Sequence, residues 1–206
     1  MDKQKILDVI VSTKGRQIIV ASKYINAEQI LALRDLGLTE FGENRADALL
    51  GKYDALKGEE GIHFHFIGHL QSNKAKDVAN RIVCLHSLDS LKTARILNAA
   101  RTAPLDCYVE LHLTPNEAKS GVKEEDLGAF LDGLKQFPNI RVIGFMAMSD
   151  ADMDEGSKRA VFHRAALLAK QYGLSKLSMG MSEDYLLAIE EGATTLRLGR
   201  TLTSHC

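Results

Sequence analysis

No stretch of the 206 residues approaches the roughly 20 consecutive apolar residues that cross a bilayer, so a membrane-spanning chain is not expected. Neither sign of charge dominates: Lys plus Arg number 26 and Asp plus Glu 27, for a net charge of -1. The basic face of a nucleic-acid binder is therefore missing, and so is broad attraction to an anionic membrane. Any anion this chain holds must be held locally. The three cysteines, Cys84, Cys107 and Cys206, are far apart and lack CxxC spacing, which excludes a disulfide framework or a zinc knuckle and fits a reducing compartment. The apolar stretch Ile6–Val11 is too short and too charged in its surroundings for a secretory signal, and reads as part of an amphipathic helix over 3–14. A cytoplasmic location is expected. There is no Pro/Gly/Ser-rich linker, internal repeat or low-complexity run, so residues 1–206 are expected to form a single domain. With 45% apolar and 26% charged residues, the composition is that of an ordinary soluble globule.

What is present is an alternation of short β-branched runs with longer segments of helical period. Strands are expected at 17–21, 39–42, 63–68, 82–86, 107–113, 140–146, 176–178 and 194–198. Between them, Asn26 stands three residues before Gln29 as in a capping box, and Gly37 closes that helix. Val161, Ala165, Leu168, Ala169 and Tyr172 form one stripe of a helix over 154–172. A short helix over 183–191 is expected with Ser182 as its cap. An open doubly wound sheet would also alternate, but eight βα units favour a (β/α)8 barrel of the TIM type, an α/β fold. No room is expected for a helix after the eighth strand, and the N-terminal helix is expected to cover that part of the ring.

In such a barrel the chemistry gathers at the carboxyl ends of the strands. The loops after strands seven and eight carry Gly180, Ser182, Gly199 and Arg200, the parts of a phosphate site. Taken singly, Ser182 is an N-cap, the glycines are turns and Lys23 is a solvated lysine. Together they describe something more specific. A lysine among apolar walls is suited to imine formation, and with Arg197 the set matches pyridoxal phosphate: Lys23 for the aldehyde, the last two loops for the phosphate and Arg197 for the ring nitrogen. His63, His65, His69 and His86 raise a metal-hydrolase reading, weakened by the lack of a carboxylate on the eighth strand. Met146, Met148, Met179 and Met181 read as apolar lining of the mouth.

At these residues the chain resembles, over nearly its whole length, the YggS/PROSC family of pyridoxal phosphate homeostasis proteins. The blocks that carry the resemblance are Ser22-Lys23-Tyr24, Phe41-Gly42-Glu43-Asn44-Arg45, His65-Phe66-Ile67-Gly68, His86-Ser87-Leu88-Asp89, Glu117-Ala118-Lys119-Ser120-Gly121, Leu177 to Ser182 with Asp184-Tyr185, and Arg197-Leu198-Gly199. The resemblance implies a fold-type III barrel, like the N-terminal domain of alanine racemase, with no C-terminal second domain. It implies pyridoxal 5'-phosphate as an imine on Lys23, Asn44 and Ile67 beside the cofactor, Arg197 at the pyridine nitrogen, and Ser182, Gly199 and Arg200 at the phosphate. It further implies a binding protein for vitamin B6 homeostasis that buffers or delivers the cofactor, with B6 vitamers and cofactor-requiring apoenzymes as partners. The alternative is a racemase-like enzyme of low activity. A monomer is expected. The chain departs from the family pattern at Phe64, commonly Trp; at His112, commonly Asn; and at Arg200, where Thr usually follows the glycine.

Overall fold

The computed structural model describes residues 2–116 and 118–204; Glu117, in one of the family blocks, and Cys206 lie outside the described residues. The elements run α1 (Lys3–Ser12), β1 (Gln17–Ala21), α2 (Ala27–Arg34), β2 (Glu40–Glu43), α3 (Ala46–Ala55), β3 (His63–Phe66), α4 (Ser72–Val78), β4 (Cys84–Leu88) and α5 (Leu91–Ala100). They continue through β5 (Leu105–Glu110), α6 (Leu127–Leu134), β6 (Ile140–Met146), α7 (Glu155–Gln171), β7 (Lys176–Ser178), α8 (Tyr185–Glu190), β8 (Thr195–Leu198) and α9 (Arg200–Thr203). All eight strands are parallel and close in sequence order, with β8 returning to β1 through the pairs from Gln17 with Thr195 to Val20 with Leu198. The expected barrel is the fold.

Period-two alternation sorts the strand side chains into two environments. Ile18, Val20, Phe41, Phe64, Phe66, Leu85, Val109, Phe145, Leu177, Leu196 and Leu198 join the large apolar core shared with the helices. The alternate positions, which point into the barrel, include His65, His86, Ser178, Arg197, Tyr108 and Thr195. Interiors of such barrels are commonly filled by branched aliphatic residues. This one is filled largely by hydrogen-bonding groups, with Cys84, Tyr108 and Met146 forming a separate small cluster.

Local chemistry explains the element ends. Asn26 and Gln29 form the reciprocal capping box, and Asp154 caps α7 by accepting from the Ser157 amide. The fifth strand begins at Leu105, two residues earlier than expected, where pairing to Ile140 starts directly after Pro104; it ends at Glu110, and Leu111 makes only an isolated bridge to Val122. The fourth strand runs to Leu88 because a register shift carries it past the expected end at His86. Two helix expectations are corrected. Asp184, not Ser182, stands at the N-cap of α8, because residues 182–184 form a turn in which the Asp184 and Tyr185 amides both donate to the Met181 carbonyl, at 3.1 and 2.9 Å; the Asp184 carboxylate makes no capping bond to the helix and accepts from the Met181 amide at 2.7 Å. A short α9 follows the eighth strand, with Gly199 at its cap, and α1 packs against it. The Ser12 hydroxyl also meets the Tyr185 hydroxyl at 2.9 Å, fastening α1 to α8. Among the described residues no helix is long and apolar enough to cross a membrane.

Candidate functional site

At the carboxyl ends of the strands lies a cleft of ≈ 420 Å³. Lys23, Asn44, Ile67, Ser182, Arg197, Gly199 and Arg200 all line it, although they come from five different βα loops or strand ends. Closure of the barrel brings together what the sequence separates by up to 177 positions. The last two loops supply anion-binding chemistry. The backbone amides of Ser182, Glu183, Gly199 and Arg200 have no acceptor among the described residues. Gly180, with φ of 91°, permits this turn; a Cβ there would lie 2.7 Å from the Ala188 Cβ. The Ser182 hydroxyl accepts from the Thr201 amide at 3.2 Å, and Thr201 reaches the Ser182 carbonyl at 3.4 Å, so the two loops are tied directly. Arg200 is exposed and pairs with Glu183.

Lys23 departs from expectation. It is exposed at the mouth and not enclosed by apolar walls, its Nζ lying 4.8 Å from the centroid of the Tyr24 ring. Its backbone is nonetheless firmly placed. The preceding Ser22 donates its hydroxyl to Glu43 Oε1 at 2.7 Å, while Lys52 Nζ bridges the Ser22 carbonyl and the same carboxylate oxygen at 2.5 Å each. Glu43 is fully buried and its Oε2 has no hydrogen-bond partner among the described residues. This group of three joins the ends of β1 and β2 to α3 beneath the cleft.

Asn44 is placed by close backbone packing. A Cβ on Gly68 would stand 2.7 Å from the Asn44 Cα, and nearer still to its carbonyl oxygen. Gly68→Ala is therefore expected to push the β2 and β3 loops apart, costing about 1–3 kcal/mol. Cofactor titration should show weakened binding in this variant, with the barrel retained by circular dichroism.

Arg197 is buried on β8 and donates to the Ser178 carbonyl and hydroxyl at 2.7 Å each and to the Ala147 carbonyl at 3.2 Å. Burial lowers its pKa to about 10, against the pull of Glu110, Asp184 and Tyr108, so it remains a cation at neutral pH. Asp184 accepts from the Ser149 hydroxyl at 2.6 Å at the cleft wall. On the opposite side of the mouth, burial raises the carboxyls of Asp89 and Glu110.

The histidines divide. His65 and His86 meet inside the barrel at 2.9 Å, whereas exposed His63 lies at its opposite end and exposed His69 approaches Asp89 at 3.5 Å. His65, Cys84 and His86 hold potential ligand atoms within 4.8 Å of one another. In this geometry the facing ring nitrogens are hydrogen-bonded to each other, and burial pushes the Cys84 thiol up, keeping it protonated. Burial first, and then the proximity of His65 and Arg197, lowers the pKa of His86 well below the usual 6.5. His86 thus stays neutral in the fold but takes a proton when unfolded, so its contribution to stability is lost as pH falls below about 6.5. Burial also acts to raise the Glu40 carboxyl, but hydrogen bonds from His65 and His63 outweigh it and hold the pKa at about 2. Glu40 adds its loss only as pH falls from about 4.5 toward 2. Urea unfolding should show a His86 contribution whose slope is small at pH 7 and steepens toward about 1.4 kcal/mol per pH unit near pH 5, absent in His86→Phe. An equal slope in that variant would refute the assignment.

Residues 14–205 match the family described as alanine racemase, N-terminal domain. A pyridoxal phosphate homeostasis protein of Pseudomonas aeruginosa is 37% identical over 190 residues, covering 90% of this chain and 82% of the relative. The chain belongs to the pyridoxal phosphate homeostasis protein family. The solved structure of PipY from Synechococcus elongatus PCC7942 without PLP is 30% identical, covers 98% of this chain and 99% of that one, and superposes with a TM-score of 0.90. A second structure of PipY, with PLP bound, gives 29% identity and a TM-score of 0.88.

Against this family background, sequence reasoning passed over several groups at the site. Lys158 of α7 lines the cleft, its ammonium has no hydrogen-bond or ion-pair partner among the described residues, and no motif marks it. Ser149 and Asp184 form the wall bond described above. The Glu43–Lys52 pair was hidden because it depends on how α3 packs beside β2. His112, one of the departures from the family pattern, fastens its own loop: its ring Nδ1 donates to the Lys119 carbonyl at 3.1 Å.

Proposed function

We propose that this chain holds pyridoxal 5'-phosphate in the cleft, covalently through the Lys23 amine, and buffers or delivers it in vitamin B6 homeostasis. The observation that supports this most strongly is the donor set of one cleft. It offers an accessible amine, two loops of unpaired amides, an apolar wall at Ile67 and a buried cation. When bound, the cofactor supplies an aldehyde that condenses with an amine, an aromatic ring and a phosphate. Lys23 is the amine; Asn44 and Ile67 flank the ring. Ser182, Gly199 and Arg200 bind the phosphate, with Lys158 adding positive charge from α7.

Arg197 faces the ring nitrogen. Three of its five N–H groups are occupied by Ser178 and Ala147, which leaves two for the cleft. As a permanent donor at neutral pH, it keeps that nitrogen unprotonated and weakens the ring as an electron sink. The chain is therefore a carrier and not a racemase. Its partners are B6 vitamers and cofactor-requiring apoenzymes, in the cytoplasm, and it acts as a monomer. The test is transfer: loaded protein should reactivate a cofactor-depleted enzyme while a phosphatase destroys free cofactor. Failure to reactivate would rule out delivery. Steady deuterium incorporation at the alpha carbon of alanine would contradict the non-enzymatic reading.

A further inference from the structure

The polar interior of the barrel contains one unbroken line of hydrogen bonds. It begins at Arg197, whose Nη1 donates to the Ser178 hydroxyl oxygen at 2.7 Å. Ser178 Oγ lies 2.8 Å from His86 Nδ1, His86 Nε2 lies 2.9 Å from His65 Nδ1, and His65 Nε2 lies 2.6 Å from Glu40 Oε2. Glu40 Oε1 then meets His63 Nδ1 at 2.8 Å, and His63 is exposed. Glu40 and His63 are the first residues of β2 and β3, so the line ends at the face opposite the cleft.

Donor accounting gives the line a direction. Arginine can only donate, so the Ser178 oxygen accepts from it and its own hydrogen is free to go to His86 Nδ1. A His86 ring that accepts at Nδ1 carries its hydrogen on Nε2, and donates it to His65 Nδ1. His65 in turn carries its hydrogen on Nε2 and donates to the Glu40 carboxylate. Ser178, His86 and His65 each accept once and donate once along the line, always away from the cleft, and the line converges on Glu40, which only accepts and also takes hydrogen bonds from His63 and from the Thr39 hydroxyl at 3.1 Å. A neutral pair of histidines in a single tautomer satisfies every contact, with a cation at one end and an anion at the other. Such chains strengthen each member bond.

We propose that Glu40, His65 and His86 are positioning residues for Arg197, fixing its guanidinium and its charge through this one-directional chain from the far face of the barrel. The chain stands on the hydrogen bonds alone; its effect on a bound cofactor rests on the reading that Arg197 faces the ring nitrogen. The other groups packed around it are Cys84 of β4, Tyr108 and Glu110 of β5, Thr195 of β8 and Asp184 beside α8. Tyr108 is engaged with Thr195 at 3.0 Å, and the thiol is protonated, so neither replaces a link.

The test begins without cofactor. Nitrogen-15 spectra of histidine-labelled protein should show His65 and His86 both protonated on Nε2 only. In Ser178→Ala both rings should keep these tautomers, because His65 Nδ1 still accepts from His86 Nε2, while the His86 Nδ1 signal should move as it loses the hydroxyl that donates to it. A His86 protonated on Nδ1 in the unaltered protein, or stoichiometric zinc bound at these rings, would overturn the chain. The second readout uses the cofactor-loaded protein: the visible absorption maximum should shift in Glu40→Gln and in Ser178→Ala, and stay in place in Glu59→Gln, an acid on the outer surface. An unmoved band in Glu40→Gln, with the tautomers as expected, would overturn the positioning role. If the unaltered protein takes up no cofactor, it is the cofactor reading that falls, together with the role toward it, and the tautomers alone decide the chain.

Discussion

Lys23→Ala should abolish the visible absorption band of the cofactor-loaded protein and all borohydride-trapped label at that position. The reason is chemical: among the groups lining the cleft, Lys23 is the amine we assign to the cofactor aldehyde, and alanine offers no nucleophile. The fold should be nearly untouched. Lys23 is exposed, and the contact of its Nζ with the Tyr24 ring is of the exposed kind worth about 0.5–1 kcal/mol. Equilibrium binding should weaken by at least about tenfold, equivalent to 1.4 kcal/mol, but some binding should persist through the phosphate loops. Absorbance titration and equilibrium dialysis separate the two effects. A band retained in Lys23→Ala would move the covalent role to another lysine, with Lys158 the first to examine. Loss of all binding together with loss of the fold would show that Lys23 is structural.

The second large effect concerns stability. Lys52→Met leaves the fully buried Glu43 carboxylate without its cation, with Oε2 already lacking a hydrogen-bond partner among the described residues. Removing one member of a buried pair costs about 3–5 kcal/mol, because the remaining charge is left uncompensated in a poorly solvated site. Replacing both members often costs little. Glu43→Leu combined with Lys52→Met should therefore recover much of the stability lost in the single variant. Cofactor binding should not recover with it. The Ser22 hydroxyl and carbonyl would have lost the partners that hold the backbone just before Lys23. Chemical denaturation of the two single variants and the double variant measures the coupling. Additive losses would mean that the pair is effectively solvated.

How far the sequence could be read depended on whether a feature is local. Strands β1, β6 and β7 lie at their expected bounds, and the Asn26–Gln29 capping box forms, because alternation and caps are properties of adjacent residues. Reading the strand ends led to Lys23, Ser182, Arg197, Gly199 and Arg200, and the family blocks added Asn44 and Ile67; all seven line one cleft. What escaped reading depends on closure and register. His65 and His86 are 21 positions apart, and only the pairing of β3 with β4 places them face to face. Ser178 looked like the unremarkable end of a strand, yet it links Arg197 to that pair. The start of α8 was not legible from Ser182 as a cap residue, because residues 182–184 are taken up by a turn on the Met181 carbonyl, a backbone pairing that residue type does not reveal. Lys23 looked enclosed from its apolar strand, but it lies two residues beyond the last strand position, where the chain has reached the mouth.

The most direct test of the central claim is borohydride reduction of unaltered protein titrated with pyridoxal 5'-phosphate, followed by peptide mapping. The account predicts saturation at one pyridoxyl group per chain, carried by the peptide containing Lys23. A protein that takes up no label, or label spread without saturation over the surface lysines, would contradict it.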